Sequence, residues 1–137
     1  MQLTITINKQ SIYSSVELVT GFTGKSVGER VDNIMASNDE TTLMDDLIQT
    51  AVITFIGSKR KYSPVTNGDK IQFDVPDNFN VGIRGSIEDL LNKFIANRVL
   101  SDWFFIVRIP EDSKRYMALA EADMASISNL FCSRTKN

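Results

Sequence analysis

The sequence predicts a mainly α-helical protein with a β-hairpin, arranged as an antiparallel helical bundle in a single domain of residues 1–137. Three segments repeat apolar residues at helical spacing and predict long helices, Asp39–Ser58, Ser86–Arg108 and Glu111–Ser133. Asn67-Gly68 is the preferred pair for a two-residue type I′ turn and predicts a hairpin over Lys61–Val75 that projects from the helical core. An apolar content of 42% over 137 residues suffices for one buried core.

The N-terminal part predicts a strand, a short helix and a connector. Leu3–Ile7 alternates polar and apolar residues and is rich in β-branched side chains, as a half-buried strand is. Ser14 and Glu17 have the spacing of a capping box, which predicts a short helix with an apolar face formed by Ile12, Val16 and Val19. Periodicity fades over Gly21–Ser37, which predicts a long connector of the kind that is usually functional or mobile.

The stretch VTGFTGKS, Val19–Ser26, ends like a phosphate-binding P-loop. A P-loop has glycine five residues before the glycine of Gly-Lys-Ser, and Val19 occupies that position here. It also follows a buried strand, whereas the residues before this stretch have a helical pattern. We therefore expect VTGFTGKS to be a loop that binds no nucleotide.

Two charge clusters accompany the first long helix. Asp45 and Asp46 are adjacent, so their side chains diverge by about 100° around the helix and cannot jointly hold a substrate or a metal. We expect them on a solvated face. The run Lys59–Lys61 follows the helix and is expected to serve as cations at its negative C-terminal end.

The later segments carry the apolar residues that we expect to build the core. Ile71, Phe73 and Val75 alternate with polar residues on the outgoing hairpin strand, and Pro64 places the incoming strand at an edge. Ser86 and Asp89 are expected to open the second long helix. Trp103–Ile109 is apolar apart from Arg108, which favours core with some exposed interface over a platform for stacked bases. Cys132 is expected to pack as a small apolar residue. Residues expected to be buried are Leu47, Phe55, Leu91, Ile95, Tyr116 and Ile127.

The composition excludes several kinds of chemistry. With no histidine and one cysteine, the chain can build neither a His-assisted nucleophile nor a zinc site of the usual ligands. A net charge of −2 differs from the basic excess typical of nucleic-acid-binding proteins. The N-terminus lacks the apolar run of a signal peptide, and no segment is apolar enough to span a membrane. We expect a cytoplasmically synthesised protein that is not an enzyme and that needs no cofactor or metal.

Four segments in this order are similar to a known family: "TGFTGKS", "DETTLMDDLIQTAVITFIG", "SIEDLLNKFIANRVLSDWF" after a hairpin, and the terminal "NLFCSRTKN". From about Ser11 to Lys136 the chain resembles the head–tail connector (adaptor or neck) proteins of tailed bacteriophages, particularly those of Bacteroidetes phages and prophages. The resemblance implies a structural protein of the virion neck, made in the bacterial host cytoplasm. It implies a homo-oligomeric ring between portal and tail through which DNA passes, whether as adaptor, stopper or tail terminator.

Such a subunit would contact other copies of itself, the portal protein and adjacent neck or tail proteins, with passive contact to viral DNA and none to a membrane. The apolar surplus around Trp103 and the connector Gly21–Ser37 suit a chain that completes itself against neighbours. The interface candidates are Asn67, Gly68, Trp103, Phe104, Arg134 and Lys136. The alternative function is a small cytoplasmic binding module that recognises a peptide or nucleic acid through its hairpin and the Trp103 region.

Overall fold

The computed structural model describes residues 1–26 and 41–134, which form four long helices and three short strands. The elements are β1 (Gln2–Thr6), α1 (Lys9–Ser26), α2 (Thr41–Ser58), β2 (Val65–Asn67), β3 (Lys70–Asp74), α3 (Arg84–Ile106) and α4 (Pro110–Phe131). Short 3₁₀ turns at Arg60–Tyr62 and Val81–Ile83 join the sheet to the helices. The mainly helical class predicted from the sequence is confirmed. None of these helices has the length and apolarity that a bilayer crossing requires.

The strands form one antiparallel sheet in the order β1-β3-β2, so the hairpin does not project from the helices as predicted. Its outgoing strand β3 is the central strand, because β1 pairs with it from Gln2↔Asp74 to Thr6↔Lys70. Ile71 and Phe73 are buried while Gln72 and Asp74 are exposed, which confirms the predicted alternation. Sequence patterning predicted β1 as a strand but not its partner.

The hairpin turn lies one residue later than predicted and is of a different type. Asn67 pairs with Lys70, so the two loop residues are Gly68 and Asp69. Gly68 has φ 63°, whereas its neighbours in the turn are outside the left-handed region. A positive φ at the first loop position alone is the pattern of a type II′ turn with glycine at that position, rather than of type I′.

Helix α1 contradicts the prediction that VTGFTGKS is a loop, because the helix runs through it to Ser26. The helix begins at Lys9 rather than near Ser14, since Asn8 Oδ1 accepts the backbone N–H of Ser11 at 3.1 Å and caps the first turn. Thr20, which is fully buried, donates its hydroxyl to the Val16 carbonyl at 2.9 Å. The rest of the predicted connector, residues 27–37, lies outside the described residues.

Helices α2, α3 and α4 confirm the three predicted long helices, with small differences at their ends. The start predicted at residue 39 lies outside the described residues. Helix α3 begins two residues before the predicted Ser86, and no side chain caps its N-terminus, so the predicted cap is absent. Pro110 occupies the first turn of α4, a position that suits its fixed φ and missing N–H.

Helix α3 is the central element, packed against α1, α2, α4 and β1. It runs antiparallel to α4, and two serines join the pair reciprocally. Ser101 Oγ donates to the Ser113 carbonyl at 2.8 Å, and Ser113 Oγ donates to the Ser101 carbonyl at 2.8 Å. Of the six residues predicted to be buried, five are buried and Tyr116 is partly buried.

Aromatic side chains connect the sheet to the helices. The Phe131 ring, near the end of α4, lies 4.9 Å from the ring of Tyr62, 5.2 Å from that of Phe73 and 6.1 Å from that of Phe79. Phe55 of α2 meets Phe73 edge to face at 5.9 Å. The hydrophobic core is therefore continuous from α2 through β3 to the end of α4.

Side chains of α3 satisfy the outer edge of β1. Glu88 Oε2 accepts the Thr6 N–H at 3.1 Å, and Asn92 Nδ2 donates to the Thr6 carbonyl at 3.3 Å. Asn92 Oδ1 also accepts the Asn8 N–H at 2.8 Å. The end of the strand edge that a further strand would use is thereby occupied, at Thr6, by polar groups of the same chain.

Candidate functional site

The aromatic residues selected from the sequence as interface candidates are in the core. Trp103 is 3% exposed and Phe104 is fully buried, with its ring stacked on that of Tyr116 at 5.6 Å. The prediction that these two residues form an interface is wrong. Both side chains turn inward, because α3 is surrounded by four other elements and buries most of its circumference.

The exposed apolar surface begins one residue later. Phe105 is 74% exposed and Ile106 is 49% exposed, and they surround a cleft with Arg108 and Pro110. We call these four residues the α3–α4 corner. Sequence reasoning identified the apolar segment but not its outward face, since every residue from Trp103 to Ile106 is apolar and a uniform run has no periodicity.

Arg108 holds an unusual backbone position at this corner. Its N–H bonds to the Phe105 carbonyl at 3.2 Å, and the Ile109 N–H bonds to the Phe104 carbonyl at 2.8 Å. These are the two bonds of a Schellman motif, whose left-handed residue is usually glycine. Arg108 has φ 62°, a conformation that costs a non-glycine residue about 1–2 kcal/mol. The chain thus keeps a cation next to exposed Phe105 at a cost in stability.

The hairpin candidates Asn67 and Gly68 are exposed, as an interface requires. Gly68 lies at the rim of a cleft of about 280 Å³ between the turn and α2. The charged side chains that line the cleft include the cation Lys9 and the carboxylates Asp45 and Asp69. Among the described residues, no cluster of His, Cys, Asp and Glu could hold a metal ion here or elsewhere.

Of the two C-terminal interface candidates, Arg134 is described by the structure and has a structural role. Arg134 Nη1 donates to the carbonyls of Phe131 and Ser133 at 2.8 and 2.9 Å, and its guanidinium lies 5.9 Å from the centre of the Phe79 ring. It therefore closes the end of α4. Lys136 lies outside the described residues. Cys132 is exposed, contrary to the expectation of a packed apolar residue, because it follows the last turn of α4.

Lys59 is not the solvated helix-end cation that the sequence suggested. It is 5% exposed, and its Nζ donates to Ser128 Oγ at 2.6 Å and lies 5.6 Å from the centre of the Phe131 ring. Burial lowers the pKa of Lys59 because it penalises the charged form. Arg60 and Lys61 are exposed, as expected. Lys59 joins the end of α2 to α4.

Asp45 also differs from the expected solvated acid, whereas its neighbour Asp46 is exposed. The Tyr13 hydroxyl of α1 donates a hydrogen bond to Asp45 of α2. This bond, with lesser contributions from burial and the Asp45 charge, raises the pKa of Tyr13 to about 12. The pair links two helices.

A groove of about 730 Å³ runs between α1, α3 and α4, and we call it the three-helix groove. Its apolar lining comprises Ile12, Val19, Ala96, Leu100 and Leu119. Among the described residues, its polar lining includes three carboxylates, Glu88, Asp89 and Asp123, and one cation, Lys93. Asp123 accepts a hydrogen bond from Asn97 Nδ2 at 2.7 Å. No pattern in the sequence indicates this groove, because its residues come from three separate elements.

Comparisons of this chain with known protein families, with curated proteins and with solved structures each found no match. The α3–α4 corner and the three-helix groove are therefore interpreted from their own chemistry. Both present apolar side chains beside charges, a combination typical of protein interfaces.

Proposed function

We propose that this chain is a structural protein of the neck of a tailed bacteriophage, forming a ring between portal and tail through which DNA passes. The observation that carries the proposal is the α3–α4 corner. It exposes Phe105 and Ile106 next to a residue held in a strained conformation. Large aromatic side chains at exposed positions are enriched in protein interfaces. A strained backbone persists where it is over-determined by its surroundings, and often where function requires it.

The order of elements supports the same reading. The connector resemblance rests on a short helix ending in a TGFTGKS loop, followed by a second helix, a hairpin and two further helices. Elements α1, α2, β2–β3, α3 and α4 follow in that order, although TGFTGKS lies inside α1 rather than in a loop. The net charge of −2 suits a ring that lets DNA pass. A basic lumen would hold the DNA by releasing its counterions.

The alternative, a module that binds a peptide or nucleic acid through its hairpin and the Trp103 region, has less support. Stacking on a base requires an accessible aromatic face, and Trp103 is in the core. Among the side chains that the structure describes, Phe105 is the exposed aromatic residue of that region. Its neighbours Trp103 and Phe104 are buried, so no row of accessible rings is available.

The test is to locate the protein in particles. We expect mass spectrometry of purified virions to find the chain in a fixed ratio to the portal protein, and immunogold labelling to place it between head and tail. A second sign would be a portal or capsid gene next to its own. Virions that lack the chain would refute the structural role.

A further inference from the structure

The two unexplained surfaces lie on opposite sides of α3. Ala96 lines the three-helix groove, and Phe105 follows it by nine residues. Nine residues are about two and a half helical turns, so Phe105 points about 180° away from Ala96 and lies about 13 Å further along the axis. An exposed apolar surface and a groove on opposite faces of one subunit have the arrangement that a head-to-tail contact between copies requires.

The two surfaces also match in chemistry. The corner offers an aromatic ring, an isoleucine and the exposed cation Arg108. The groove offers an apolar lining with Asp89 and Asp123 against Lys93. Its third carboxylate, Glu88, is already paired with Arg84 at 2.8 Å. Exposed apolar side chains beside the cation Arg108 therefore meet an apolar groove in which Asp89 and Asp123 outnumber Lys93. Such complementarity favours one pairing and disfavours corner-to-corner contact, which would bring two Arg108 side chains together.

We infer that the α3–α4 corner of one copy docks into the three-helix groove of the next copy. This inference rests on the proposed function, since it names the contact that would close the neck ring. Each copy uses its corner on one neighbour and its groove on the other, so the contact is heterologous and repeats around a closed ring. Phe105 is the anchor, and Arg108 fixes the orientation through the acidic rim.

The inference is tested with two variants that each disable one half of the contact. Phe105→Asp removes the anchor and keeps the groove, while Leu119→Arg obstructs the groove and keeps the corner. Leu119 is 44% exposed, so the second change should be accommodated without loss of fold. Ile53→Asp is the matched control, because Ile53 is 60% exposed on α2 and belongs to neither surface.

Sedimentation velocity of the purified full chain gives the readout, with circular dichroism to show that each variant is folded. We expect wild type and Ile53→Asp to self-associate with rising concentration. Each interface variant alone should associate about 30-fold or more weakly, the loss typical of a central anchor. An equimolar mixture of Phe105→Asp and Leu119→Arg should form a dimer that grows no further, because it contains one intact corner and one intact groove.

Other outcomes overturn the inference. A mixture that stays monomeric while both variants are folded excludes a corner-to-groove contact, as does a wild-type chain that remains monomeric at its highest soluble concentration. A charge exchange gives independent evidence: Arg108→Glu should weaken association, and adding Asp89→Lys should restore it. A chain absent from virions that still shows the mixed dimer would refute the neck role and keep the contact. Normal incorporation of the Phe105→Asp protein into virions would keep the neck role and refute the corner-to-groove contact.

Discussion

Replacing Phe131 by alanine should remove the contact that joins the last helix to the sheet. The Phe131 ring has three aromatic neighbours, Tyr62, Phe73 and Phe79, at 4.9 to 6.1 Å, and the Lys59 ammonium lies 5.6 Å from its centre. It is 1% exposed. Truncating a buried phenylalanine costs about 3–5 kcal/mol, and aromatic pairs add to the loss. We expect about 4 kcal/mol, a large part of the roughly 5–15 kcal/mol that stabilises an ordinary domain.

Urea unfolding measures this loss, with the single tryptophan as reporter. Trp103 is buried in the native state, so its fluorescence should report the global transition. With a slope of about 2 kcal/mol per molar urea, the midpoint should fall by about 2 M. Phe131→Leu keeps the apolar contact without the ring and should lose less than half as much.

Phe105→Ala is the matched control, since it makes the same chemical change at an exposed position of α3. We expect a change within about 0.5 kcal/mol, as for most surface substitutions. If the two alanine variants unfold at the same urea concentration, the packing argument for the end of α4 fails. If Phe105→Ala is strongly destabilising in a monomer, the corner belongs to the core and is no interface.

Four further predictions concern single sites. Gly68→Val should lower the thermal midpoint seen by circular dichroism by the equivalent of about 1–2 kcal/mol, because valine is strained at φ 63°; an unchanged midpoint would contradict the turn. Arg108→Gly should stabilise the monomer by about 0.5–1 kcal/mol in urea while weakening self-association, since glycine relieves the left-handed strain; lower stability would contradict the strain. Tyr13→Phe should cost about 1 kcal/mol at neutral pH. The fold favours the protonated phenol, so the Tyr13–Asp45 contribution is complete below pH 10 and is lost as the pH rises from 10.0 to about 12; wild type, but not Tyr13→Phe, should lose that stability in pH-dependent unfolding. Lys25→Ala should leave stability unchanged, and calorimetry should detect no ATP or GTP binding to either form; binding abolished by the substitution would refute the reading of VTGFTGKS.

Helices α2, α3 and α4 were predictable because their apolar residues repeat over several turns. Such a repeat buries one face whatever the neighbours are, so local pattern and final packing agree. Helix α1 was predicted to begin too late and to end too early. Its start depends on the cap by Asn8, a single side-chain bond. The helix also continues through Gly21 and Gly24, although each glycine in a helix interior costs about 1 kcal/mol relative to alanine.

The sheet was only partly predictable. The alternation of β1 and β3 indicated strands, and Pro64 indicated that β2 is an edge, which the order β1-β3-β2 confirms. The pairing of β1 with β3 joins residues about 70 positions apart, and no local pattern encodes such a partner. The turn type followed from register, because Asn67 pairs with Lys70 and leaves Gly68 and Asp69 in the loop.

The candidate site shows the limit of periodicity most clearly. Trp103, Phe104 and Phe105 are consecutive aromatic residues of one helix, so each faces about 100° away from the one before. Two of them are buried and the third is exposed. Which of the three points outward depends on where α4 and the other neighbours of α3 pack, and that is tertiary information. Sequence reasoning therefore placed the exposed apolar residues at Trp103 and Phe104, two positions before the observed Phe105 and Ile106, and so on the wrong face of α3.

The sheet edges give a reason why assembly would use helices. A small antiparallel sheet can grow by adding a strand from another copy at either edge. At β1 that route is obstructed at the end of the strand, because Glu88 and Asn92 already bond the outward N–H and C=O of Thr6. At β2 the strand has three residues, Val65–Asn67, preceded by Pro64, which has no N–H to donate. Residues along an antiparallel strand alternate between bonding the partner strand and directing their N–H and C=O away from it. In β2, therefore, only the middle residue, Thr66, can offer both backbone groups to a further strand. Self-association through the sheet would gain few hydrogen bonds at either edge, whereas the corner and groove of the helical layer offer apolar contact and complementary charge.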